Sequence, residues 1–137
     1  MQQVDDFAQE CATLDALLQS LHADDWTRRT QFKSWTVNDV MVHLHYWNRM
    51  AHWSWVDEAR FDVELKAMMQ GIAQGSMRAV ENAAISERGA ALRDAWRAHL
   101  DAMLPLWRDI DPKARLKWAG PSMSARSSIT ARQMETW

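Results

Sequence analysis

The chain has 137 residues, 47% hydrophobic and 25% charged, with a formal net charge of −2. That length suits one domain with a single core, so residues 1–137 are read as one unit. The charge balance argues against broad attraction to nucleic acid or to an acidic membrane surface. A lone cysteine, Cys11, leaves no internal disulfide, and no run of about 18 apolar residues is present to span a bilayer. The first ten residues lack a basic-then-apolar leader, so a cytoplasmic protein is expected.

Four glycines and three prolines, with few β-branched runs, point to helices. Nine tryptophans stand out. Each carries a large apolar area and an N–H that needs a partner, so several are expected to line a pocket.

The first predicted helix covers about residues 2–21. Val4, Phe7, Cys11, Leu14, Leu17, Leu18 and Leu21 recur at three- and four-residue steps and form one apolar stripe. Residues 23–34 break the pattern and read as a connection. The second helix starts near Thr36, where Thr36 and Asp39 resemble a capping box, and runs to about Trp55. Its apolar positions cover more than half the circumference, which makes it central. Residues 61–73 predict a shorter helix or helical lid, ended by Gly71 and Gly75. One long helical stretch is expected over 77–108, with Gly89 as a weak point inside it. Residues 109–126 read as a connection containing Pro112, Gly120 and Pro121. A last helix is expected from Ser127 or Ser128, with Ile129, Met134 and Trp137 facing inward. No glycine, asparagine or proline closes it, which suggests a truncated last helix. Its apolar face could recruit a second copy as a homodimer. The expected class is all-α, a four-helix bundle with crossover connections.

His43 shares a helical face with Val40 and Trp47, so it points toward other helices. It reads either as a transition-metal ligand or as a half-buried histidine bonded to a carbonyl. Glu135 reads as a paired or metal-bound carboxylate, or as a surface group paired with Arg132. His45 and His52 share a face and could form a second, weaker metal pair. His22 ends the first helix, where a cation suits the dipole. His99 is open between core and surface. Cys11 lies on the apolar stripe and reads as packing, not as a nucleophile. Lys113, Arg115, Lys117, Arg126 and Arg132 form a modest basic cluster, either solvated or an anchor for a carboxylate.

Two stretches together resemble a known family. Trp35-Thr36-Val37-Asn38-Asp39-Val40-Met41-Val42-His43-Leu44 is similar to the second-helix motif of DinB-like proteins, where a tryptophan precedes a metal-binding His-Leu pair by eight residues. The segment from Gly120 to Trp137 resembles the fourth helix of the mycothiol-dependent maleylpyruvate isomerase branch, and more narrowly a metal-binding subfamily whose longer members carry a further C-terminal domain. The resemblance implies a bundle of DinB type with a divalent ion, most simply zinc, held by two histidines and a carboxylate. His43 and Glu135 would be two of the ligands. The third, a histidine four residues after the glutamate, would fall at position 139, beyond Trp137. The implied chemistry is thiol-dependent isomerisation or S-transfer on a small molecule, with a low-molecular-weight thiol as cofactor. By placement alone, Trp47, Trp118 and Arg126 are the expected pocket residues. A non-catalytic metal-binding domain and a helical interaction module remain the alternatives.

Overall fold

A computed structural model describes all 137 residues, Met1–Trp137. The chain is all-α, with six α-helices: α1 (Gln2–Gln19), α2 (Val37–Val56), α3 (Glu58–Ala73), α4 (Met77–Ala84), α5 (Ala90–Asp109) and α6 (Ala125–Thr136). A short 3₁₀ turn, Ala23–Thr27, follows α1. Between α5 and α6 the long connection forms a small antiparallel pair, β1 (Arg115–Leu116) with β2 (Met123–Ser124). Helices α1, α6, α2 and α5 close a ring of contacts, while α3 and α4 lie against α2.

Local chemistry sets the helix starts. Thr36 accepts from the Asp39 amide at 3.1 Å and Asp39 accepts from the Thr36 amide at 2.9 Å, so the expected capping box opens α2. Asp57 caps α3 and Ser76 caps α4 in the same way, through the amides of Arg60 and Ala79. Helix α6 begins earlier than expected. Ser124, not Ser127 or Ser128, accepts from the Ser127 amide and caps it.

The single helix expected over 77–108 is two helices. The run stops at Ala84, where Ile85 turns extended, and it restarts at Gly89, which caps α5 at φ +62°, a conformation that other residues adopt only at a cost. Its amide donates to Asn38 Oδ1 at 2.8 Å, which ties the start of α5 to the first turn of α2. Ile85, fully buried, anchors the segment between the two helices.

One continuous core contains Val4, Phe7, Cys11, Leu18, Met50, Trp96, Trp107 and Ile129. Some apolar expectations fail at the ends. Leu17, Met69 and Ile72 are exposed, and so are Met134 (68%) and Trp137 (89%), because the last turn of α6 runs past the core. No helix is long and apolar enough to cross a membrane.

A polar seam crosses the core where α2 meets α5. His99 stands edge-on to both His45 and His52, with ring centroids 5.7 and 5.5 Å away. Trp107 Nε1 donates to His52 Nδ1 at 3.3 Å. The expected His45–His52 metal pair is therefore occupied in other ways: both rings pack on His99 and one accepts a tryptophan N–H. Burial pushes the imidazole of His99 down to about 4, helped by the neighbouring His52 and Arg49 and opposed by the Asn48 carbonyl. His45 is pushed down to about 3 by burial, then by His99 and Arg49.

The native seam therefore refuses protons that the unfolded chain accepts below its ordinary histidine value. The seam's contribution to stability should be complete above about pH 6.5 and fall as the pH drops toward 4, with His99 alone accounting for roughly 2 kcal/mol at pH 5. Urea denaturation at pH 7 and pH 5 measures this. A His99→Leu variant should lose much less stability over that interval than the parent, and an equal loss in both would contradict the assignment.

Candidate functional site

His43 and Trp47 are four residues apart on α2 and so project from one face. Helix α4 crosses that face and presents Glu81, which is 1% exposed. One oxygen, Glu81 Oε1, lies 2.8 Å from His43 Nδ1 and accepts from Trp47 Nε1, also at 2.8 Å. Two donors on successive turns of α2 are thus satisfied by a single carboxylate. A charge buried this completely persists only when it is paired and hydrogen-bonded.

From the opposite side α6 supplies Glu135. Its buried residues Ala125, Ser128, Ile129 and Arg132 follow three- and four-residue steps, and Glu135 extends the same stripe. Glu135 Oε2 lies 3.4 Å from His43 Nε2. The other oxygen accepts from Arg132 Nη2 at 2.8 Å. Arg132 is 2% exposed and stacks on Trp118, which in turn packs on Trp47. The Glu135 side chain is 40% exposed, so this side of the imidazole faces outward.

The two carboxylates address opposite nitrogens of one ring. Burial disfavours a charged His43, but the hydrogen bonds to Glu135 and Glu81 outweigh it and hold the imidazole up to about 9. Burial would raise Glu135, yet His43 and Arg132 hold it below the usual carboxylate range. In the metal-free protein at neutral pH, His43 is thus an imidazolium between two carboxylates.

Two recesses meet at this pair. The larger, about 550 Å³, is lined by Thr30, Phe32, Lys33, Trp35, Val40, His43, Leu44, Met77 and Glu135. A smaller one, about 260 Å³, is lined by His43, Trp47, Met77, Trp118, Ala119 and Glu135. His43, Met77 and Glu135 belong to both. Three of the nine tryptophans line them, as the abundance of this residue predicted.

The family model for the mycothiol maleylpyruvate isomerase N-terminal domain matches residues 7–137. The chain belongs to this family. Two Mycobacterium tuberculosis proteins, one from the CDC 1551 / Oshkosh strain and one from H37Rv, are each 36% identical to it over 136 residues. Both are described as uncharacterized. The alignment covers 98% of this chain and 52% of each of theirs, so the chain spans about half the length of the curated relatives it matches. No solved structure matches.

Within this family domain, the residues expected from sequence divide into two groups. His43, Glu135, Trp47 and Trp118 come together around the two recesses. Arg126 is exposed and lines neither. The basic cluster divides: Lys117 pairs with Glu58 and Asp62 and Arg115 bonds Ser122, away from the recesses, while Arg132 holds Glu135 at the site. Cys11 is buried in the core, where burial pushes its thiol up to about 12, in keeping with a packing role. Glu81, Lys33 and Phe32 were not read from the sequence. Glu81 adjoins Val80 on the expected buried face of its helix, and a charge at such a position was the available signal. No three His, Cys, Asp or Glu side chains converge closely enough to enclose an ion by themselves.

Replacing Glu81 with alanine leaves the His43 and Trp47 donors without an acceptor. Glu81→Ala should lower stability by about 3 kcal/mol, the scale for breaking a buried pair. Glu81→Gln, which keeps an acceptor oxygen, should cost less than half of that. Denaturation in urea reads both, and a loss under about 1 kcal/mol for the alanine variant would contradict the role given to this carboxylate.

Proposed function

We propose that this domain binds a divalent metal ion, zinc by donor type, through His43 Nε2 and Glu135, and serves thiol-dependent isomerase or S-transferase chemistry on a small molecule. The observation that supports it most is the 3.4 Å separation of His43 Nε2 and Glu135 Oε2. Two donors about 2.0–2.1 Å from a tetrahedral ion stand roughly 3.3 Å apart, so the pair fits two ligands of one site. The donor chemistry, one imidazole and one carboxylate on a partly open face, also suits zinc. A bound ion of this kind stabilises a thiolate at neutral pH and polarises a carbonyl.

The chain's own groups prepare the pair. Glu81 bonds Nδ1 of His43, which fixes the ring and turns Nε2 toward Glu135, so an ion that displaced the Nε2 proton would meet a lone pair already aimed at that carboxylate. Arg132 occupies one oxygen of Glu135 and leaves the other directed at His43. Trp47 and Trp118 wall the smaller recess, whose size and apolar surface suit the sulfur end of a low-molecular-weight thiol. Family membership supports the thiol-related role.

A second reading is a non-catalytic domain in which these groups form only a structural ion-pair network. It is favoured by the closed charge balance of His43 and Arg132 with Glu81 and Glu135.

Zinc titration of the longer protein against a chromophoric chelator separates the two. The first reading expects one equivalent bound, an affinity at least 100-fold weaker in His43→Ala, and one about 10- to 100-fold weaker in Glu81→Gln. His52→Ala should bind as the parent does. Zinc affinity unchanged by His43→Ala would sink the metal assignment. Tight binding without turnover in a thiol-transfer assay of the longer protein would favour a non-catalytic metal-binding domain, and no zinc binding would favour the ion-pair network.

A further inference from the structure

The larger recess contains features that the metal and thiol reading does not use. Its wall is the loop from Arg29 to Thr36, closed as a narrow hairpin. Thr30 N–H donates to the Trp35 carbonyl at 2.7 Å, Val37 N–H to the Arg28 carbonyl at 3.2 Å, and Arg29 Nη1 to the Ser34 carbonyl at 2.8 Å. At its tip Lys33 and Ser34 both hold positive φ, 49° and 57°. Trp35 N–H donates to the Phe32 carbonyl at 2.9 Å, so the tip is a tight hairpin turn that favours glycine, asparagine or aspartate at both central positions and here carries a lysine and a serine.

That backbone places Phe32, Lys33 and Trp35 around the recess. Trp35 is fixed on several sides: Phe32 meets it edge-on at 5.1 Å, His43 lies 5.5 Å away, and the Arg78 guanidinium covers it at 4.2 Å. Val40, Leu44 and Met77 complete a mainly apolar interior. Two cations are near. Arg78 is already paired with Asp39 at 2.5 Å. Lys33 makes no ion pair; its ammonium sits 5.4 Å from the centre of the Phe32 ring, at the rim. An apolar chamber with one unpaired cation at its mouth selects a ligand that is hydrophobic at one end and singly anionic at the other.

We propose that this recess binds a hydrophobic monocarboxylate, with the aromatic or branched body between Trp35, Val40 and Leu44 and the carboxylate on Lys33. The inference rests on the site reading above in one respect: the bound molecule would be the acceptor that meets a thiol across His43 and Glu135, with the thiol in the smaller recess. Lys33 is then a specificity residue, and the strained hairpin tip is what brings its ammonium over the opening.

The test needs neither metal nor thiol. Calorimetric titration of the metal-free chain with 3-phenylpropanoate, 3-phenylpropanamide and 2-phenylethylamine compares three bodies of one shape with charges of −1, 0 and +1. The acid should bind at least 10-fold more tightly than the amide, and the amine most weakly. Lys33→Gln should remove the preference for the acid over the amide, while Lys33→Arg retains it. Because Lys33 is exposed, both variants should keep the parent's circular dichroism and melting curve. Equal binding of acid and amide, an acid preference that survives Lys33→Gln, or no binding of any of the three overturns the proposal. Zinc titration of the parent sequence in the longer protein separates this from the site reading: zinc binding with no acid preference in the parent defeats the carboxylate proposal alone, and an acid preference without zinc binding defeats the metal reading alone.

Discussion

A single buried oxygen, Glu81 Oε1, organises the centre of this domain. It bonds His43 and Trp47 on neighbouring turns of α2 and thereby links α4 to the helix that carries the site. The arrangement requires α4 to lie close and in one register. Gly71 makes the approach possible, since a side chain there would overlap Val80 of α4. Ser76 caps the helix, and Gly89 ends the segment that follows it by taking a left-handed conformation. Arg78, one turn before Glu81, pairs with Asp39 and covers Trp35, so the start of α2 and the start of α4 are tied together as well.

The consequence for chemistry is a ring with two unlike sides. Nδ1 is directed inward to a carboxylate that is shut away from solvent, and Nε2 is directed outward to Glu135 on a partly open face. A histidine held in this manner has its rotation fixed before any ligand arrives, and the buried carboxylate would keep the Nδ1 proton in place if Nε2 gave up its own, which is how carboxylates behind metal-binding histidines act. Arg132 does the corresponding work for Glu135 and is itself pressed against Trp118. The two recesses share the outward edge, so two small molecules could approach one pair of groups from different directions.

Much of this was legible in the sequence, for identifiable reasons. Helical periodicity and the Thr36–Asp39 box located α2 closely, and His43 followed from its four-residue spacing to Trp47. The resemblance of the two quoted stretches brought Glu135 into consideration, and the structure sets it beside His43. Glu81 was not legible, because its meaning depends on α4 being a separate helix. That separation lies in the extended segment from Ile85 to Gly89, where a periodicity argument sees only one weak point, Gly89. Lys33 was missed for a related reason: a lysine in a polar connection looks solvated until the hairpin fold of that connection is known. Placement alone puts Arg126 near the final helix's acidic residue, but it sits on the first turn of α6 facing solvent, away from the stripe that carries Arg132 and Glu135.

The central claim is that Glu81 fixes the His43 imidazole by its Nδ1 and leaves Nε2 to face Glu135. Long-range proton–nitrogen correlation spectra of the ¹⁵N-labelled protein report which ring nitrogen carries the proton. In the zinc-loaded protein the His43 Nδ1 should remain protonated while Nε2 shows the shift of a coordinated, unprotonated nitrogen. A proton on Nε2 with Nδ1 bare would contradict the account.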